Sequence, residues 1–177
     1  MANLSIDVFK SKLLKGGARP NLFRAVVNYP AFANGDSELT SFMCKGAQIP
    51  PSNIDNIDVP FLGRQVGFAG DRTFEPMNLT IFNDVDFPIR NAFELWMQEV
   101  NAHAGNTGVS DPRQYQVDVS IEQLDKSGDV TKRYKLVNAY PTNLGAIELS
   151  FDANNTIEEF PVTLKFDYWT SPTSATE

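Results

Sequence analysis

One histidine and one cysteine are all that this chain offers for metal or thiol chemistry, and His103 and Cys44 stand far apart. A structural zinc site needs about four close nitrogen or sulfur ligands, which two residues cannot supply. His103 follows an amphipathic segment, where the negative end of a helix favours a cation, so a capping or surface role is expected. Cys44 sits in the apolar string Phe42-Met43-Cys44-Lys45 and reads as a small buried hydrophobe. The carboxylate pairs Glu94/Glu99 and Glu158-Glu159 are pairs in sequence only; on a strand, 158 and 159 point to opposite faces and cannot share a substrate. Nucleophile-elbow and phosphate-loop patterns are absent. Two sequons, Asn78-Leu79-Thr80 and Asn154-Asn155-Thr156, carry no meaning in a chain made in the cytoplasm. No catalytic, cofactor-binding or metal-binding residue is assigned, and neither enzyme activity nor a cofactor is expected.

The remaining chemistry is that of surfaces. A chain of 177 residues, 42% of them hydrophobic, fits one domain with its own core, and a chain of that size buries roughly 70% of its unfolded surface. We expect a single domain over 1–177, with an N-terminal arm or helix in 1–17 and a flexible C-terminal tail in 170–177. No run approaches the ~20 apolar residues of a membrane span, and no secretory leader is recognised at the start. A single cysteine fits a reducing compartment. The formal charge of −7, with 15 basic residues scattered among 22 acidic ones, argues against a nucleic-acid binder, which clusters Lys and Arg against phosphates. An acidic surface suits a conduit for DNA better than a clamp on it.

The elements that would carry such surfaces follow from periodicity. Leu4 to Leu14 reads as a short helix stopped by Gly16-Gly17. Phe23, Ala25, Val27 and Tyr29 alternate with polar or smaller neighbours, and this period of two marks a strand with one buried face. A turn at Asn34-Gly35-Asp36 is expected to lead into a second strand from Glu38 to about Ala47, ended by Ile49-Pro50-Pro51. Asn53 to Gly63 is extended and apolar, with no evident place in a sheet; it is either a loop folded on its own core or an arm that docks on another subunit. Gln65 to Phe68 and Met77 to Phe82 read as strands joined by a turn at Gly70-Asp71-Arg72. The main helix is expected from an N-cap at Asp86, through Pro88, to a stop at Gly105, with Ile89, Phe93, Trp96, Met97 and Val100 in one core-facing stripe. Tyr115 to Glu122 and Val130 to Val137 read as a hairpin, Pro141-Thr142-Asn143 as a corner, and Ile147, Leu149 and Phe151 as the buried face of another strand. Phe160, Val162, Leu164, Phe166 and Tyr168 form one side of the last strand. The sum is a mainly β chain with one main helix: an antiparallel sandwich or barrel, its interior filled by Phe151, Phe160, Phe166 and Tyr168.

Several strings in a fixed order carry a further signal. Arg19, Pro20, Asn21 and Phe23 stand in Ala18-Arg19-Pro20-Asn21-Leu22-Phe23; Asp71, Arg72 and Phe74 stand in Ala69-Gly70-Asp71-Arg72-Thr73-Phe74. Trp96 lies in the main helix, Pro141 to Gly145 follow, and Asp167-Tyr168-Trp169 close the series. Together these strings resemble the tail tube proteins of contractile-tailed, T-even-type bacteriophages, over about residues 18 to 169. Two departures fall in connections: a longer stretch from Pro30 to Ser41 and an extended end after Trp169.

The resemblance implies a tail-tube fold and a structural role in the virion. Six copies would form a ring, and stacked rings would form the inner tube of a contractile tail. The tube is assembled in the host cytoplasm and conducts DNA during ejection. Implied partners are further copies of the chain, the tail sheath protein, the tape measure protein, and the baseplate and tail terminator proteins. Genomic DNA passes through the lumen without specific binding, and this chain does not insert into a membrane. Candidate lumen-facing acids are Asp118, Glu122, Glu148, Asp152, Glu159 and Asp167, the alternative being that this face lies outside, against the sheath. Candidate inter-ring contacts are Ile54, Ile57, Val59, Phe61 and Leu62 of the Asn53 to Gly63 arm, together with the N-terminal segment. Two other readings share parts of the pattern: a baseplate protein that starts the tube (or a tube subunit of a related injection machine), and a monomeric β-barrel with a ligand cavity.

Overall fold

The computed structural model describes residues 5–13 and 16–174. A short helix, α1 (Ile6–Lys12), is capped by the Ser5 side chain, which accepts from the Val8 amide, and it buries none of its residues. Leu4 and Leu14, the expected limits of this helix, lie outside the described residues. Strand β1 (Phe23–Val27) buries Ala25 and Val27 as the alternation predicts.

The expected strand from Glu38 is instead a helix, α2 (Ser37–Met43), followed by a shorter strand, β2 (Cys44–Ala47). Asp36 decides this. Its carboxylate accepts from the amides of Glu38 and Leu39, capping the first turn, while Glu38 complements the helix dipole. Thr40 is fully buried and bonds the Tyr29 hydroxyl at 2.8 Å.

Strands β3 (Asn53–Phe61) and β4 (Arg64–Thr73) form a separate two-stranded hairpin. Its turn is Leu62-Gly63, with φ of 45° and 80°, the paired positive angles of a type I′ turn. Gly70-Asp71-Arg72, expected to be a turn, lies within β4, where the register against β3 slips between Ile54 and Asn56. Chain reversal therefore happens eight residues earlier than the glycine at 70 suggests. After β5 (Met77–Phe82) comes the main helix, α3 (Pro88–Val100). Phe87, not Asp86, is its N-cap, in a left-handed conformation, and Pro88 occupies the first helical turn. The helix stops at Asn101, ahead of Gly105, when the Asn101 amide bonds the Met97 carbonyl.

Asp111 caps a single helical turn, α4 (Pro112–Tyr115), so Tyr115 precedes the next strand, β6 (Val117–Leu124). Strand β7 (Val130–Leu144) runs straight through the expected corner at Pro141-Thr142-Asn143, absorbing it as a register shift. Strands β8 (Glu159–Lys165) and β9 (Tyr168–Thr170) pair with successive parts of β7. Residues 145–158 form no strand; Leu149 and Phe151 are exposed rather than core residues, and Tyr168 is 46% exposed. Ser171 is buried within a turn that continues to Ser174.

The main sheet is antiparallel and runs β1-β6-β7-β8-β5-β2, with β9 added to β7. It curls around one core in which Val27, Ile121, Leu136, Phe160, Leu79 and Ile81 meet Phe93 and Trp96 of α3. Phe160 and Phe166 fill the interior as predicted. Tyr29, Phe93 and Trp96 form the aromatic plug: Tyr29 meets the other two edge-on at 5.4 and 5.8 Å, and Phe93 stacks on Trp96 at 6.0 Å. Burial pushes the Tyr29 phenol well above its ordinary pKa, so this ring stays neutral. Cys44 is buried, its thiol pushed up to about 11 by that burial and hence unreactive.

Candidate assembly surface

The β3–β4 hairpin is amphipathic across its two faces although every residue of β3 is exposed. Direct pairs set the faces: Ile57 lies opposite Phe68 and Val59 opposite Val66, with Phe61 opposite Arg64 at the tip. Those positions share one face, and they alternate with Asn56/Ala69, Asp58/Gly67 and Pro60/Gln65 on the other. Phe61 is 64% exposed and Phe68 is 56% exposed. A contiguous apolar face left 42–64% exposed among the described residues marks an interaction site, and an isolated two-stranded hairpin is marginal in water without packing on such a face. Of the expected contact residues, Ile57, Val59 and Phe61 fall on this face, Leu62 is in the turn, and Ile54 faces the polar side. Sequence reasoning missed Val66 and Phe68 because β4 was read as a short strand ending in a turn. The main sheet adds open edges, since β1 and β2 end the strand order and each ladders on one side only.

The six acidic residues singled out from sequence do not form one patch. Glu122 is only 3% exposed and sits between two arginines. Arg24 Nε donates to its Oε2 at 2.7 Å and Arg133 Nε to its Oε1 at 2.6 Å. The register explains the clamp, because Glu122 lies directly opposite Arg24 on β1 and Arg133 on β7. Burial works to raise the Glu122 pKa, but the hydrogen bonds and charges of the two guanidinium groups outweigh it and hold the carboxyl below its usual range. Glu122 is therefore a charge-paired brace across three strands. Asp118 pairs with Lys135 at 2.7 Å, and Glu159 pairs with Lys45. Asp167 accepts from Asn138 Nδ2 at 2.7 Å. Glu148 and Asp152 stand off the sheet, on 145–158.

Because the folded-state pKa of Glu122 is depressed, its stabilisation is present above the ordinary glutamate range and is lost as pH falls through it. Glu122→Gln is expected to lower stability at neutral pH by about 1–3 kcal/mol, the cost of weakening charged hydrogen bonds to arginines that stay half in water. It should also flatten the acid limb of the stability curve. Urea titrations of both proteins across pH 3 to 7 measure this; parallel curves would remove Glu122 as the acid-sensitive group.

The family-like residues serve mainly to join elements. Trp96 Nε1 donates to the Tyr115 carbonyl at 2.8 Å, tying α3 to α4. Trp169 Nε1 donates to the Pro51 carbonyl at 3.0 Å, and its ring meets Phe74 and Tyr134 edge-on. Gln123 Nε2 donates to the Arg19 and Leu22 carbonyls, fixing the strand entry that contains Pro20 and Asn21. Asp71 and Arg72 lie on the exposed base of the hairpin. The family model described as phage tail tube protein matches residues 18–171.

The chain belongs to the phage tail tube protein family.

This tail tube protein is 36% identical to tail tube protein gp19 of Enterobacteria phage T4 over 155 residues, covering 86% of this chain and 90% of that protein. It is 32% identical to the tail tube protein of Serratia phage KSP90 over 167 residues, covering 92% and 94%. Its fold is shared with the tube-terminating cap of the anti-feeding prophage, at 23% identity and a TM-score of 0.62 over 88% of this chain and 90% of that one. The same holds for a chain from the extended sheath–tube complex of an extracellular contractile injection system, at 17% identity and a TM-score of 0.62 over 91% and 95%. The antiparallel β fold and the structural tail role expected from the sequence therefore stand. As a tail tube protein, the chain is a component of a contractile-type virion tail rather than of an enzyme family.

Proposed function

We propose that this chain is the repeating subunit of the inner tail tube: six copies close into a ring, and rings stack into a bore that conducts DNA during ejection. The observation that carries this reading is the unpartnered apolar face of the β3–β4 hairpin in a chain 36% identical to a named tail tube protein. Ring closure satisfies the open edges of β1 and β2, and head-to-tail stacking is a contact that does not close and so makes a filament. The hairpin face supplies the ring-to-ring contact.

The polar side of the main sheet across β1, β6 and β7 suits a bore wall because its cations are neutralised, whereas Lys165 on β8 is exposed and forms no ion pair among the described residues. Arg24 and Arg133 are tied to Glu122, and Lys135 to Asp118. Phosphates passing over that face meet ion pairs instead of free cations, so DNA is not held. Asp118, Glu159 and Asp167 remain lumen candidates in this reading. The sheath, tape measure, baseplate and terminator proteins are its proposed partners, assembly takes place in the host cytoplasm, and no catalysis is assigned. A monomeric ligand-binding barrel is disfavoured by the interior, where aromatic and aliphatic side chains pack into one core.

The test is assembly of the purified chain. Sedimentation and negative-stain microscopy are expected to show rings and open-ended tubes that lengthen with concentration. A 19.7 kDa species that stays single at every concentration would overturn the proposal.

A further inference from the structure

We propose that α1 of one copy docks in the acidic cleft beneath residues 145–158 of a second copy, an inference that rests on the tube reading above. The helix has seven residues and buries none of them. Helices this short do not persist in water on their own, so α1 needs an apolar partner. At about 100° per residue, Ile6, Phe9 and Leu13 fall within an arc of about 60°, and Lys10 and Lys12 flank that ridge on either side. Ile6 is 72% exposed and Phe9 is 66% exposed. Gly16 and Gly17 follow, both at φ +75°, a joint open to glycine that lets the helix leave its own domain.

Charge selects the receptor. Residues 1–17 hold Lys10, Lys12 and Lys15 against Asp7, a net +2; the whole chain is −7, so residues 18–177 carry −9. The arm is thus the basic exception on an acidic molecule. The cleft between 145–158 and strands β2, β5 and β8 has a volume of about 770 Å³. Its lining combines apolar Phe82, Leu149 and Ile157 with Glu148, Glu158 and Glu159, against one cation, Lys45, already tied to Glu159. Leu149 on its rim is 79% exposed. A ridge of three apolar side chains flanked by lysines matches a cleft whose lining mixes exposed apolar side chains with carboxylates. Two other exposed apolar grooves fit less well: the one between β1 and α2 carries Arg24 and Glu38 and so offers no net charge to a basic helix, and the one lined by Met97, Val100 and Tyr140 carries no acidic residue. Electrostatic complementarity of this kind sets partner and register.

Two measurements test the docking. Lys10→Glu with Lys12→Glu, both on exposed positions, is expected to raise the concentration for tube formation at least tenfold with an unchanged thermal melt. Adding Glu148→Lys should recover much of that loss. Separately, Lys12→Cys with Leu149→Cys in a Cys44→Ala background, oxidised after assembly, should give a ladder of disulfide-linked multimers on a non-reducing gel. A fast-migrating linked monomer would mean that α1 folds onto its own chain, and no link at all would mean that it docks elsewhere; either result overturns the inference. If the parent chain forms tubes and the cysteine pair gives no ladder, this inference alone falls. If the parent chain forms no tubes, the tube reading falls with it.

Discussion

Val59→Asp combined with Phe68→Asp is expected to leave a folded monomer that no longer builds tubes. Both positions lie on the apolar face of the β3–β4 hairpin, near the middle of the pairs Ile57/Phe68 and Val59/Val66. In the single chain both side chains already meet water, at 44% and 56% exposure, so replacing them removes little packing. Exposed substitutions of this kind usually shift stability by no more than about 0.5 kcal/mol. In an assembled tube the same positions would sit against another copy. Burying an unpaired carboxylate there costs several kcal/mol per contact, and each 1.4 kcal/mol is tenfold in affinity. Tube formation should therefore need at least a hundredfold more protein. Sedimentation reads the assembly and circular dichroism reads the fold. Tubes of normal length from the double variant would show that the hairpin face is not an interface. Gln65→Asp on the opposite face is the control and should assemble as the parent does.

Trp96→Ala should produce the largest loss of stability of any single change in the chain, on the order of 4 kcal/mol. Trp96 is fully buried, stacked on Phe93 at 6.0 Å and edge-on to Tyr29 at 5.8 Å. Its indole also satisfies the Tyr115 carbonyl at 2.8 Å. Truncation opens a cavity at the junction of α3, β1 and α4 and leaves a carbonyl without its donor. Trp96→Phe keeps most of the ring contact and loses the hydrogen bond, so it should cost about 1–2 kcal/mol. For a domain of this size, the alanine variant should melt roughly 8–16 °C lower. A drop of less than about 3 °C for Trp96→Ala would mean that the aromatic plug does not hold the helix to the sheet.

Where burial alternates with period two, the strands were legible from the chain alone. β1, β5, β6 and β8 put Ala25/Val27, Leu79/Ile81, Val119/Ile121 and Phe160/Val162/Leu164 into the core, as their spacing requires. The amphipathic stripe of α3 was equally plain, because Ile89, Phe93 and Trp96 repeat at helical spacing and are all buried. Misreadings arose where local chemistry was unusual. Leu62 takes a left-handed conformation that leucine rarely adopts, so the sharp reversal at Leu62-Gly63 carried no asparagine or aspartate to announce it. Asp36 belongs to a helix cap, yet it follows Asn34-Gly35 and looks like part of a turn. Both signs of α2 were present: the cap, and Leu39 with Met43 four residues apart. Ile147, Leu149 and Phe151 alternate like a strand but have no partner strand to ladder with, so tertiary context overrode pattern.

The acids on the sheet could be counted from the sequence but not assigned. Glu122 lies 98 positions from Arg24, and only the pairing of β1 with β6 brings them together. Periodicity places both side chains on the polar face without saying that they meet. The hairpin contacts were partly visible for the opposite reason: a local run of Ile57, Val59 and Phe61 needs no long-range information to look sticky.

Strand β7 has a mechanical corollary. Fifteen residues long, it ladders with β6 along one flank and with β9 and then β8 along the other. Separating the two halves of the sheet means unzipping this strand along its whole length, so no soft hinge lies between the halves of the main sheet. A column of such subunits, pushed end-on, should flex at the joints between neighbours and keep each building block rigid, as a drill string bends at its couplings.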